Sequence, residues 1–366
     1  MSSRTETRAD VPRVVYDLLD LAVRRCASDV HVEPTASGSD VRLRMDGVLE
    51  TVAAHDAPTG RAIVTRLMVM SHLLTYRLDV PQEGRCTFAS PSAGREIELR
   101  ISMMPTTHGL RAAVRLPAEL VQPRTLDDLN LPPRVLGALK RFAAADAGML
   151  IVTGPAGSGK TTTLYALLEH VARASPGLSI ISLEDPVERD LPGVTQIQVS
   201  TFGELTYERA LRSILRQDPQ VLMLGEIRDS ATASLALQAA LSGHRLVCTM
   251  HAATPGGAIA RLLEMGCEPY QITSAVWGVV AQRLLRRVDP EMWGGSRYRG
   301  RTPVAEFVEL DAALRPEILQ RADAGTLANA YRQQAGYESL RDNARQLVAR
   351  SLSDDAEVVR VLGEDS

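Results

Sequence analysis

The run Gly154-Pro155-Ala156-Gly157-Ser158-Gly159-Lys160-Thr161, followed by Thr162, fits G-x-x-x-x-G-K-[ST] at every constrained position. The spacing has a physical reason. Glycines let successive backbone N–H groups turn inward as a nest for phosphate oxygens, and a helix beginning at the lysine adds its positive end. Lys160 would reach the β- and γ-phosphates of a bound ATP, and the Thr161 hydroxyl would ligate Mg²⁺. The context agrees, because an apolar run at 148–153 precedes the loop and 162–171 reads as a helix.

Ionisable groups follow at the ends of three further apolar runs. The run at 178–183 ends in Glu184-Asp185-Pro186-Val187-Glu188, that at 221–224 in Gly225-Glu226-Ile227-Arg228-Asp229, and that at 245–250 in His251. In a parallel α/β sheet, ligands bind outside the carboxyl ends of the strands, where all of these groups would meet. Glu226 stands where an acid would assist Mg²⁺, directly or through water. Glu184 would orient or deprotonate an attacking water, or else cap a helix or pair with a cation. His251 would sense a γ-phosphate by donating a hydrogen bond. Asp185, Glu188 and His244 have equally ordinary surface readings.

The elements that must position these groups show two textures. Val11, Val14, Val15, Leu18, Leu21 and Ala22 recur at helical spacing and predict a helix ending near Arg25. From there to about residue 115, alternating runs such as 29–33, 41–45 and 96–101 predict half-buried strands of a small mixed sheet. A hairpin turn is expected at Asp46-Gly47 and a helix near 60–74. The proline-rich stretch 117–133 marks a boundary. Beyond it, short apolar strands alternate with amphipathic helices, the pattern of a parallel sheet covered on both faces. After about Leu285 the chain becomes Arg- and Gln-rich and is expected to be mainly helical, with a last helix capped near Ser353-Asp354-Asp355.

Composition narrows the function. At 366 residues two or three domains are expected. A net charge of −3 with four Phe and two Trp gives no global pull on nucleic acid and little to stack on bases, so no direct nucleic-acid partner is expected. The four cysteines form no C-x-x-C pair and read as small buried hydrophobes. No apolar run spans a bilayer and the first ten residues lack a signal segment, which places the protein in the cytoplasm, at the membrane only through partners.

These motifs, in their order, resemble the secretion ATPases of type II secretion and type IV pilus assembly. The loop at 154–164 is similar to that family's Walker A, Ile181-Ser-Leu-Glu-Asp-Pro-Val-Glu188 to its Asp box, 215–229 to its Walker B and 243–251 to its His box. Ala27-Ser-Asp-Val-His-Val-Glu-Pro34, Arg44-Met-Asp-Gly47 and Pro81-Gln-Glu-Gly-Arg85 resemble the domain preceding its motor core, and Arg299-Gly-Arg-Thr302 a landmark beyond it. The resemblance implies a tail at 1–10, a PAS-like domain at 11–116, a linker at 117–133, a RecA-like core at 134–285 and a helical region at 286–366. It implies a homo-hexamer that hydrolyses ATP to assemble a pilus or pseudopilus, working with inner-membrane platform and pilus-assembly proteins. Arginines complete the nucleotide site in such rings; the matching positions are Arg85, Arg100, Arg212 and Arg216.

Some positions depart from the family. No cysteine lies between Arg286 and Arg299, where many relatives hold zinc, so no metal beyond Mg²⁺ is expected. Asp79 stands where an arginine often does, and Ala252-Ala253 follow His251 in place of polar residues. The chain is expected to lack the extra N-terminal domain by which long relatives dock on membrane components, so the resemblance does not carry over that anchoring partner. Three alternatives remain: a DNA-translocating ATPase, a retraction ATPase of the same superfamily, and a nucleotide-gated assembly factor that hydrolyses little.

Overall fold

The computed structural model describes residues 10–117, 125–199, 204–291 and 297–364. The expected tail lies outside these residues except for Asp10, as do linker residues 118–124. The chain divides into two compact units, Met1–Gln122 and Pro123–Ser366.

In the first unit, α1 (Val11–Arg24) starts at Asp10, whose carboxylate accepts from the Arg13 N–H at 3.4 Å. It buries Val15, Leu18, Leu19, Ala22 and Val23, a stripe at i, i+3, i+4, i+7 and i+8. Six strands follow, β1 (Asp29–Pro34), β2 (Gly38–Met45), β3 (Val48–Asp56), β4 (Gln82–Ser90), β5 (Arg95–Thr106) and β6 (Gly109–Arg115), with α2 (Ala57–Met70) between β3 and β4. Their order is β3-β2-β1-β6-β5-β4. Every pair is antiparallel, where a mixed sheet was expected. For four of the five pairings the reason is local: short turns join β1 to β2, β2 to β3, β4 to β5 and β5 to β6, and a hairpin can pair strands only antiparallel. Asp46 and Gly47 both adopt positive φ, 49° and 86°, as a two-residue type I′ turn requires. Helix α2 begins earlier than its apolar pattern suggests because Asp56 caps it, accepting from Thr59 N–H at 2.9 Å. Cys86, Cys248 and Cys267 are buried as expected; Cys26, just past α1, is exposed.

The second unit holds β7 (Gly148–Thr153), β8 (Ile180–Glu184), β9 (Thr195–Gln198), β10 (Val221–Leu224), β11 (Arg245–Met250), β12 (Val276–Val288) and β13 (Tyr298–Glu309). Their order is β13-β12-β7-β11-β10-β8-β9. All pairings are parallel except β12 with β13. Helices α3 (Pro133–Ala143), α4 (Lys160–Ala174), α5 (Tyr207–Ile214), α6 (Ser230–Leu241), α7 (Pro255–Glu264) and α8 (Pro269–Ala275) cover it. Strand β7 turns Met149 and Ile151 into one core and Leu150 and Val152 into another, so both faces are buried. That is why these strands read as unbroken apolar runs. Helices α9 (Leu314–Leu319), α10 (Ala324–Tyr331), α11 (Leu340–Ala349) and α12 (Asp355–Leu362) fill the C-terminal region, but β13 comes first and extends the sheet past residue 285.

Helix α12 docks on β12 through a buried ion pair. Glu357 is fully buried; the Nε and Nη2 of Arg286 donate to its Oε2 at 2.9 and 2.8 Å, and the Arg286 backbone N–H donates to Oε1 at 2.9 Å. Arg360 Nε adds a bond at 2.7 Å. Burial pushes the Glu357 pKa up, but the bonds from Arg360 and Arg286 outweigh it and hold it at about 2. Replacing Glu357 by alanine strands the Arg286 charge, and the expected loss in urea unfolding of this unit is about 3–5 kcal/mol at neutral pH. The folded value lies below the ordinary 4.5, so the contribution is whole above pH 4.5 and is lost as pH falls toward 2. The gap between wild type and Glu357→Ala should therefore close across that window.

Candidate nucleotide site

The phosphate loop joins β7 to α4 in the middle of the sheet. Gly154, Gly157 and Gly159 have φ of 151°, 75° and 86°. A Cβ on Gly154 would lie 2.5 Å from the Gln282 carbonyl oxygen, and one on Gly159 2.8 Å from Gln282 Nε2. Backbone freedom and close approach thus both require glycine there. The Lys160 ammonium, almost fully buried, donates to the Gly154 and Pro155 carbonyls at 2.8 and 2.9 Å. Burial lowers its pKa, Glu226 opposes this, and Arg283 lowers it further. Thr161 and Thr162 are half-buried in the first turn of α4.

Gln282, which lies outside every motif, braces this loop. Almost fully buried on β12, it donates through Nε2 to the Ser158 carbonyl at 2.9 Å and accepts at Oε1 from the Thr163 hydroxyl at 2.9 Å. One amide therefore ties the loop to the helix that follows it. Its neighbour Arg283 donates to the Ala253 carbonyl at 2.8 Å, linking β12 to the segment after His251. The polar pair Gln282-Arg283 inside the apolar run of β12 was the available signal.

At the ends of β10 and β11, Glu226 and His251 come together, with His251 Nε2 3.0 Å from Glu226 Oε1. Arg228 Nε donates to the other carboxylate oxygen at 2.8 Å, and its Nη1 lies 3.8 Å from Asp185 at the end of β8. Thr153 fixes the top of β7 to this loop, its hydroxyl 3.1 Å from the Met250 carbonyl and 3.0 Å from the Ala252 N–H. Among the groups acting on Tyr207, burial first and then Asp185 raise its pKa, Arg228 opposes them, and Glu184 and Glu226 add to the rise. Lys160, Glu226, His251, Asp185 and Arg228 thus form one charged neighbourhood, in which Arg228 had no assigned role.

Glu184 is held differently. It is 2% exposed, and its Oε1 accepts from the Ser182 hydroxyl at 2.6 Å and Gln196 Nε2 at 3.0 Å. The Tyr165 hydroxyl donates to Oε2. These partners are neutral. His244, with Nδ1 2.8 Å from the Ala239 carbonyl, sits at the end of α6.

Of the four arginines, Arg85 and Arg100 belong to the first unit and Arg212 and Arg216 to the second. Arg85 and Arg100 face each other across β4 and β5 on the exposed side of the first unit, and Arg85 pairs with Glu98 at 3.3 Å. Arg212 bonds Glu208 on its own helix at 3.1 and 3.0 Å, and Arg216 is exposed in the turn after α5.

The model of the family described as type II/IV secretion system protein matches residues 4–360. The chain belongs to this family. The type II secretion system protein HxcR of Pseudomonas aeruginosa is 40% identical over 372 residues, covering 98% of this chain and 78% of the relative. The type II secretion system ATPase E of Vibrio cholerae is 35% identical, covering 98% and 77%. In fold, the X-ray structure of the Legionella pneumophila ATPase DotB matches with a TM-score of 0.73 at 20% identity over 94% of both chains. The pilus retraction motor PilT matches with a TM-score of 0.63 at 22% identity, covering 94% of this chain and 96% of PilT. This secretion ATPase therefore binds nucleotide and hydrolyses ATP. Among its described residues, no helix is long and apolar enough to cross a membrane.

Proposed function

We propose that this secretion ATPase is one subunit of a homo-hexameric motor that assembles a pilus or secretion pseudopilus. The motor would act at the cytoplasmic face of the membrane through inner-membrane platform and pilus-assembly proteins. The observation that carries the chemistry is the neighbourhood of Lys160, Glu226 and His251 beside a glycine loop that opens α4. Lys160 binds and neutralises the β- and γ-phosphates, and the loop amides orient them. His251 donates to the γ-phosphate. Glu184 orients the attacking water or takes its proton as the γ-phosphorus leaves ADP. The Thr161 hydroxyl and the Glu226 carboxylate are oxygen donors of the kind Mg²⁺ prefers, and they would hold it directly or through water. When bound, that ion supplies charge neutralisation on the phosphate oxygens.

Arg85, Arg100, Arg212 and Arg216 would complete the site in the ring, which makes assembly a condition of turnover. Measuring ATP hydrolysis per subunit against oligomeric state across a dilution series is the direct test. Turnover is expected to rise in step with the fraction of rings. Equal turnover by a monomer would overturn the ring motor.

A further inference from the structure

We propose that Tyr165 is a positioning residue that holds the Glu184 carboxylate in place from the helix that binds phosphate. The idea deepens the reading above and rests on the role given there to Glu184. Tyr165 follows Thr161 by four residues on α4, so the Thr161 hydroxyl and the phenol lie on one helix face. The ring is fully buried, and its hydroxyl makes two contacts at once: it donates to Glu184 Oε2 and accepts from the Glu188 N–H at 3.1 Å. The Glu184 carboxylate at the end of β8 and the Glu188 backbone beyond it are therefore both tied to α4 through one oxygen.

The ring cannot turn freely to break these bonds. The Arg189 guanidinium lies over it, 5.2 Å from the ring centre, and is anchored to Glu169 of the same helix at 2.6 Å. The opposite oxygen of Glu184 is held from the sheet by Ser182 and from β9 by Gln196. Burial, followed by the Glu184 bond, raises the phenol pKa, which keeps the proton on Tyr165 as a donor. A purely apolar core position needs no hydroxyl at this point. With Oε1 occupied by two donors, the lone pair left for a water is on Oε2, and a rigid donor on the same oxygen fixes its direction. Any movement of α4 on binding phosphate would then reach Glu184 through a single hydrogen bond.

The test is a double-mutant cycle in the full chain under ring-forming conditions, with Tyr165→Phe, Glu184→Gln and both together. Tyr165→Phe is expected to lower kcat roughly tenfold or more, the fold-change of one hydrogen bond to a charged group, with KM and ADP affinity nearly unchanged. In the Glu184→Gln background the same change should cost no further kcat. Wild-type kcat in Tyr165→Phe would overturn the proposal, as would an equal further loss in the double variant, because a merely structural role adds independently. Normal turnover in Glu184→Gln would remove the role of Glu184 itself, and the proposal with it, whatever Tyr165→Phe shows. If Tyr165→Phe folds poorly, Gln196→Ala removes a donor to the other oxygen from a half-buried edge position. It should show the same lack of additivity with Glu184→Gln, and independent losses there would again overturn the proposal.

Discussion

An Arg100→Ala ring is expected to bind nucleotide as wild type does but to turn over ~10³–10⁵ times more slowly, the range for losing an arginine that stabilises transition-state charge. Arg85, Arg100 and Arg115 lie opposite one another on β4, β5 and β6, a row of like charges across three strands. Such pairs cost the isolated sheet ~0.2–1 kcal/mol each, which an approaching polyanion would relieve. Arg85 is offset by Glu98 at 3.3 Å and Arg115 by Asp29 at 3.1 Å. Arg216→Ala is expected to behave in the same way, since Arg216 is exposed in the turn that leads into β10. Arg212 is already held by Glu208 within its helix, so its transfer to a nucleotide would first break that pair. Nucleotide affinity, ring formation and turnover should be measured together. Normal turnover in either alanine variant removes that residue from the site.

Glu226→Gln is expected to lower kcat by ~10²–10³, the cost of losing one preorganised electrostatic group, while nucleotide still binds. The amide keeps the shape but removes the charge that faces Arg228 at 2.8 Å and His251 at 3.0 Å. It also removes the negative charge that opposes deprotonation of Lys160. With that charge gone, Lys160 should lose its proton at lower pH, so the alkaline limb of ATP turnover should shift downward in the variant. An unchanged alkaline limb together with unchanged kcat would place Glu226 outside the phosphate-binding group.

Much of this protein is legible because its constraints are local. The glycine loop must fall where φ turns positive, and Gly154 and Gly159 can be named from spacing alone, whereas Gly157 falls at an unconstrained position of the pattern. The parallel core is legible because strands buried on both faces, such as β7 and β10, must be apolar at every position. The strand ends are legible because the ionisable groups 184, 226 and 251 each close an apolar run. The sense of pairing in the first unit is harder to read, since alternation fixes which face a residue takes and says nothing of its neighbour strand. The β13 strand is harder still: Tyr298–Glu309 is Arg-rich at its start and enters the sheet because β12 offers it an edge.

What the sequence determined by itself is the chemistry available: a phosphate loop, acids at 184 and 226, a histidine at 251, and the order of strands and helices that carry them. What only the tertiary structure decided is which of these groups touch and what holds them. Gln282 lies more than a hundred residues from the loop it braces, and Tyr165 and Glu184 meet across a helix and a strand. Spacing reports a contact only when the partners share an element. Contacts between elements depend on how side chains pack in the folded core, and that is fixed only when the whole sheet has formed.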